Sequence, residues 1–219
     1  MTEKIVLDAT PAQYRESFPN TSILPPEKCG SSEPGDRLQI INMIRGDATD
    51  AQAVWGFVPQ WRMTADNPVY YASGATISRK WTTSVAFRNW RCIVPASCFT
   101  WLREIDGVTM SYTLSRNDGG VLLLGGIFGP NPPHAMGTAP TAALVTTTPN
   151  RMLAPHGLQV PLILKKKEVM PWLRARTNID VVKSFIRPPG ASDLKLVISL
   201  PAVENANMGI SIDRQLTLA

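Results

Sequence analysis

The chain has 219 residues, 22 of them Lys or Arg against 17 Asp or Glu, for a net charge of +5. An apolar fraction of 44% with six tryptophans supplies a real core and excludes a disordered chain. No apolar run reaches membrane-spanning length and the start, MTEKIVLDATPA, lacks a hydrophobic signal region, so the expectation is one soluble, cytoplasmic domain over 1–219 with no membrane partner.

TPAQYRESF at 10–18 opens with Thr10 as N-cap and Pro11 in the first turn, which predicts a short helix. NTSILPPEKCGSSEPGDR reads as irregular surface. LQIINMI (38–44) and AVWGFVPQW (53–61) read as strands, the second ending near Pro59. SRKWTTSVAFRNW (78–90) becomes helical toward its end, with Phe87 and Trp90 three apart on one face. Strand-like pieces follow at RCIVPASCFTWL (91–102), TMSYTLS (109–115), VLLLGGIF (121–128) and TAALVTTT (141–148). The Asp-Gly turns in EIDGV and RNDGG predict hairpins. GPNPPHAMGTAP is a Pro/Gly loop. QVPLILKK leads into a helix around KKEVMPWLRAR that Pro171 must kink or restrict. KKK at 165–167 reads as a solvated helix end, although positive charge at a helix N-terminus opposes the dipole. LKLVISL (194–200) supplies a late strand. Hairpin-linked strands with helices between the blocks predict an α+β fold with mainly antiparallel sheet.

Cys29, Cys92 and Cys98 form no C-x-x-C pair and, with two distant histidines, suggest neither a disulfide framework nor a metal site. No cofactor is implied. The basic excess permits an anionic partner such as nucleic acid without demanding one.

Several motifs in order resemble those of the SOS-response-associated peptidase family, the abasic-site-processing proteins. WGFVPQW (55–61) is similar to its W-G-x-x-P-x-W signature, and RCIVPASCFTWL to its R-C-[IL]-x-P-A-[DS]-G-[FW]-[FY]-E-W strand. LLLGGIF, ALVTTTPNRMLAPHGLQVPLIL, MPWLRA and ISLPAVENAN resemble the elements that follow. The resemblance implies a complex α+β fold with a bifurcated sheet and partial barrel flanked by helices, holding single-stranded DNA in a basic groove. It also implies a Cys after the initiator Met, whose amine and thiol capture the aldehyde of an abasic site as a thiazolidine crosslink. An Asn, a Glu and a His assist.

Most of that chemical set is replaced here. Position 2 is Thr2, and Ala72, Gly74 and Thr76 stand where the family's N-A-R-x-E motif has Asn, Arg and Glu. Trp101 takes the place of the strand carboxylate, and only His156, in HGLQVP, survives. A threonine hydroxyl ionises far less readily than a thiol, so crosslinking is expected to be impaired. Once Met1 is removed, Thr2 could still offer its α-amine for a Schiff base. The catalytic candidates are therefore His156 and Thr2, with Cys98 as an alternative nucleophile beside His156.

Candidates for DNA binding are Lys4, Trp61, Arg62, Arg88, Arg91 and Trp101, where rings can stack on bases and cations neutralise phosphates. The expected partner is single-stranded or damaged DNA, bound by a monomer. Two other readings are an active crosslinking or self-processing peptidase, and a protein-interaction module reusing the groove.

Overall fold

Thr10 Oγ1 accepts the Gln13 N–H at 3.3 Å while the Gln13 side chain accepts the Thr10 N–H at 2.8 Å. This reciprocal cap satisfies donors that the first turn leaves free, and helix α1 spans Pro11–Ser17 as the sequence predicts. The computed structural model describes residues 2–18, 23, 30–62, 64, 66–129, 139–200 and 216–217. Cys29, most of the Pro/Gly loop and the ENAN stretch lie outside the described residues.

The strands form two sheets. The first contains β1 (Thr2–Leu7), β2 (Gly30–Ser32), β7 (Cys98–Ile105), β8 (Val108–Arg116), β12 (Leu194–Ser199) and β13 (Leu216–Thr217), in the order β13-β12-β8-β7-β1-β2. Every pairing in it is antiparallel. The second contains β3 (Arg37–Ile44), β4 (Asp47–Trp55), β6 (Arg91–Ala96), β9 (Leu122–Gly129), β10 (Thr141–Thr147) and β11 (Val160–Pro161), in the order β11-β10-β4-β3-β6-β9. Here β10 also pairs with β9 and, in parallel, with β5 (Tyr71–Ser73). The second sheet thus curls toward itself as a partial barrel. It is not a closed one: β3 and β6 share a single register pair, Ile41 with Ile93.

Three layers result. The inner faces of the two sheets meet in a core that includes Ile5, Phe99, Trp101 and Leu114 from the first and Leu38, Trp55, Val94 and Leu144 from the second. The opposite face of the second sheet packs under helices α1, α2 (Ser84–Asn89), α3 (Val169–Leu173) and α4 (Ile179–Ser184), through Tyr14, Phe87, Trp172 and Val182. The α+β expectation holds. No described helix is long and apolar enough to cross a membrane.

Three local readings change. The strand read over 53–61 ends at Trp55 rather than near Pro59, and beyond it Phe57 makes only an isolated bridge with Val69. RCIVPASCFTWL is two strands, β6 and β7, because the chain crosses from one sheet to the other at Ser97. Ser97 anchors that crossing: its N–H bonds the Val6 carbonyl at 2.7 Å and its hydroxyl accepts from the Asp8 N–H at 2.8 Å. RNDGG closes no hairpin either, since β8 and β9 belong to different sheets; Asp118 instead folds back onto Arg116 and the Gly120 N–H. EIDGV does form the predicted hairpin, with Asp106 and Gly107 at φ 52° and 76°, the positive values that a tight two-residue turn requires. Strand β1 escaped the sequence reading because its charged Glu3-Lys4 pair masks a six-residue alternation.

Arg91 ties the helices to the second sheet. It is 2% exposed, and its guanidinium donates to the carbonyls of Phe87 and Arg88 at the end of α2 and of Trp172 and Arg174 at the end of α3. A cation at two helix C-termini satisfies orphan acceptors and matches both dipoles. Burial lowers its pKa to about 10, so it stays charged at neutral pH. Arg91 was expected at a DNA surface; buried among four carbonyls, it has no free face for a phosphate. Arg91→Ala should cost about 3–5 kcal/mol in denaturant unfolding, by stranding buried acceptors. Arg91→Lys should recover only part of that, having three donors and no planar fork. A loss under about 1 kcal/mol for the alanine variant would contradict the clamp.

Candidate functional site

Strand alternation decides what can face His156. Register pairs Glu3 of β1 with Trp101 of β7, and Trp101 with Tyr112 of β8, so the three side chains share one side of the sheet. That side is the inner one: Glu3, Trp101 and Tyr112 are all buried. His156 ends a short 3-10 turn, Ala154–His156, and its ring lies 5.3 Å from that of Tyr112, centroid to centroid. Its turn is held from below. Arg103, two residues along β7 from Trp101, donates to the His156 carbonyl, and the Trp101 indole N–H donates to the Gln159 carbonyl at 3.1 Å.

The opposite parity points away. Thr2, Lys4 and Val6 alternate with the inward residues of β1, and Cys98 and Thr100 do so on β7. The 3.1 Å contact between the Thr100 and Thr113 hydroxyls marks that outer face. Thr2 is exposed there, and Lys4 pairs with Glu33 at 3.0 Å. Cys98 and the Tyr112–His156 cluster therefore lie on opposite faces of the sheet, which overturns the Cys98–His156 pairing considered from the sequence. Burial also pushes the Cys98 thiol up, away from thiolate. Trp101, expected to stack on bases, is fully buried with its indole N–H committed, and serves as floor rather than platform.

The ground around Ala72 and Gly74 is filled. Ala72 is buried in β5 beside Val145. At Gly74 a side chain has no room, because a Cβ would run into Ile186 Cγ2 and the Thr146 carbonyl. The backbone there is drawn close by the Gly74 N–H bond to Thr146, 2.9 Å.

A different surface gathers exposed aromatics. Trp61 and Trp81 are 46% and 66% exposed and stack on each other, centroids 3.9 Å apart and planes 21° off parallel. The Arg62 guanidinium sits 5.7 Å from the Trp61 ring centre and is pinned by the carbonyls of Asp66 and Asn67 at 2.7 and 2.9 Å. Arg79 and Lys80 immediately precede Trp81, and Arg88 is exposed in the last turn of α2. The structure thus brings Trp61 and Arg62 together and adds Trp81, which sequence reasoning missed. Its signal was available: a tryptophan in the run SRKWTT, with polar residues on both sides. Among the described residues no three His, Cys, Asp or Glu side chains gather as metal ligands.

Glu3 is an acid without a cation among the described residues, and the buried Tyr71 hydroxyl that faces it makes no well-formed hydrogen bond. Burial raises the pKa of Glu3, more than the Tyr71 interaction lowers it. A carboxyl whose folded pKa exceeds its unfolded one favours the fold when protonated, and the advantage is lost as pH rises through the folded pKa. Glu3→Gln should therefore raise stability near neutral pH and lose that advantage in acid below the ordinary carboxyl range. An advantage equal at both pH values would show that ionisation is not the cause; thermal unfolding at the two values measures it.

The chain matches the model of the SOS response associated peptidase (SRAP) family over residues 1–206. No curated protein matches it. Among solved structures, it is similar to a protein from Bacteroides thetaiotaomicron at 17% identity and a TM-score of 0.75, over 89% of this chain and 90% of that one. A protein from Bordetella bronchiseptica is similar at 18% identity and a TM-score of 0.73, over 91% of this chain and 99% of that one. A phage-related protein from Bordetella bronchiseptica gives 18% and 0.71, over 90% and 92%. At these identities the likeness establishes the fold, and the family model, running from the first strand through the last helix and beyond, establishes the lineage: the chain belongs to the SOS response associated peptidase family.

Proposed function

We propose that this family member binds single-stranded or abasic DNA, as a cytoplasmic monomer, and does not form the thiazolidine crosslink. The observation that carries the reading is the exposed Trp61–Trp81 stack with Arg62 beside it. Two indoles left in solvent are unfavourable for a surface that meets only water, whereas an outer indole face can stack on an unpaired base. Flanking cations offer neutralisation to the phosphates on either side.

The loss of chemistry is supported by the same geometry that keeps the fold. Thr2 has no thiol to close a ring on an iminium, its side chain faces away from His156, and a buried indole occupies the site of the carboxylate. His156 keeps a neighbouring phenol and an arginine-anchored turn, which suits hydrogen bonding to a ligand rather than activation of a nucleophile.

Titration of a single-stranded oligonucleotide, followed by tryptophan fluorescence, should show affinity falling as salt rises from about 50 to about 200 mM. Trp81→Ala should weaken binding roughly fivefold to 150-fold, the worth of about 1–3 kcal/mol for one stacked base. No binding at the lower salt would remove the proposal. Abasic single-stranded DNA, with and without borohydride, should give no shifted band on a denaturing gel. A band only after borohydride would instead point to the Thr2 amine, and one without it to a stable crosslink.

A further inference from the structure

The stacking surface leaves the three lysines at 165–167 unexplained. They stand at the start of the helical turn Lys166–Glu168 and of α3, where the helix dipole disfavours positive charge. Lys166 is neutralised by Glu16 at 2.5 Å. Lys165 and Lys167 are exposed and have no acidic side-chain partner among the described residues.

These two lysines, with Pro171, Phe185 and Arg187, line a cleft of about 450 Å³. Its one carboxylate is turned inward. Glu168 is 7% exposed, and it accepts the Lys165 backbone N–H at 2.9 Å and Arg187 Nη2 at 2.8 and 3.1 Å. Arg187 Nη1 donates to the Phe185 carbonyl at 3.1 Å, so the guanidinium is held at two points. A guanidinium has five N–H donors, and these bonds leave its Nε–H uncommitted among the described residues. The outward charge of the cleft is therefore positive, from three cations around a carboxylate that is already bonded.

The segment that carries Arg187 touches the chain leading to each of the two surfaces described above. Ile186, beside Arg187, packs directly over Gly74, whose chain runs on to Trp81. Asn150, at the head of the His156 turn, donates to the Pro189 carbonyl at 3.1 Å.

We propose that the Lys165–Lys167–Arg187 cleft is a phosphate-binding site for a nucleotide unit of the bound strand. A fixed guanidinium with two mobile ammonium groups matches the several oxygens of one phosphate, and an anion there offsets the repulsion among the three cations. Phe185 and Pro171 offer an apolar wall to the attached nucleoside, and the volume falls in the range of small-ligand sites. A free nucleotide presents the same phosphate as a strand, so both are tested.

This inference rests on the DNA-binding reading, and one variant separates the two. Lys165→Gln/Lys167→Gln leaves the Glu168–Arg187 pair intact; Lys183→Gln, which removes a surface cation paired with Asp180, is the control. The slope of log affinity against log salt, measured with single-stranded DNA, should shrink by about 0.7 in the double variant, the worth of the one phosphate the cleft holds. The control should keep the wild-type slope. An unchanged slope in the double variant overturns the cleft even if DNA binds well. Wild-type protein that ignores DNA overturns the DNA-binding reading, and the cleft is then judged on thymidine 5′-monophosphate alone. Stabilisation of the wild type but not the double variant against heat supports the cleft, provided thymidine stabilises neither; stabilisation of neither protein, or of both equally, overturns it.

Discussion

The period of two along β1, β7 and β8 is the constraint on which the site depends. Because side chains alternate across a sheet, one register sends Glu3, Trp101 and Tyr112 into the core beside the His156 turn and sends Thr2, Lys4 and Cys98 outward. A slip by one residue would exchange the two sets. The inward register is fixed by the aromatic bulk of Phe99 and Trp101, whose rings meet edge to face at 4.7 Å and are fully buried. Apolar burial of these large side chains outweighs the cost of drawing one carboxyl, Glu3, in with them.

The same economy of space governs how the ground around β5 and the His156 turn is filled. Ile186 fills the ground over Gly74, Ala72 sits flat in β5, and the Trp101 indole holds the Gln159 carbonyl. Each of these positions is occupied by packing rather than by a polar cluster, as a close-packed core requires. Polar connections survive where backbone acceptors demand them. Arg91 answers four carbonyls at two helix ends, and Arg103 answers one at the His156 turn. Arg91, expected to meet phosphate, is thus consumed by the protein's own backbone.

Residues that read alike in sequence part company for this reason. Arg88 and Arg91 are three apart, yet one is exposed at the end of α2 and the other buried beneath it. Trp61 and Trp101 both looked like stacking rings; one lies in solvent against Trp81 and the other is core. Nothing local distinguishes them, since burial is set by the elements that fold over a residue from distant parts of the chain. The lysines at 165–167 were legible as an electrostatic anomaly, but the arginine and carboxylate that give them context, Arg187 and Glu168, meet only through the fold.

Patterning and turn chemistry within the chain determined the capped helix at Pro11–Ser17, the Asp106–Gly107 hairpin, most strands of the α+β fold and the absence of a nucleophilic thiol at position 2. These depend on neighbours a few residues apart, whose preferences are written locally. Tertiary structure alone decided that β6 and β7 lie in different sheets, that Arg91 and Trp101 are buried, that Cys98 faces away from the His156 cluster, and that Trp81 joins Trp61. Each of these follows from contacts between segments tens of residues apart, where strand register and sheet packing, rather than local propensity, fix which side of the chain meets water.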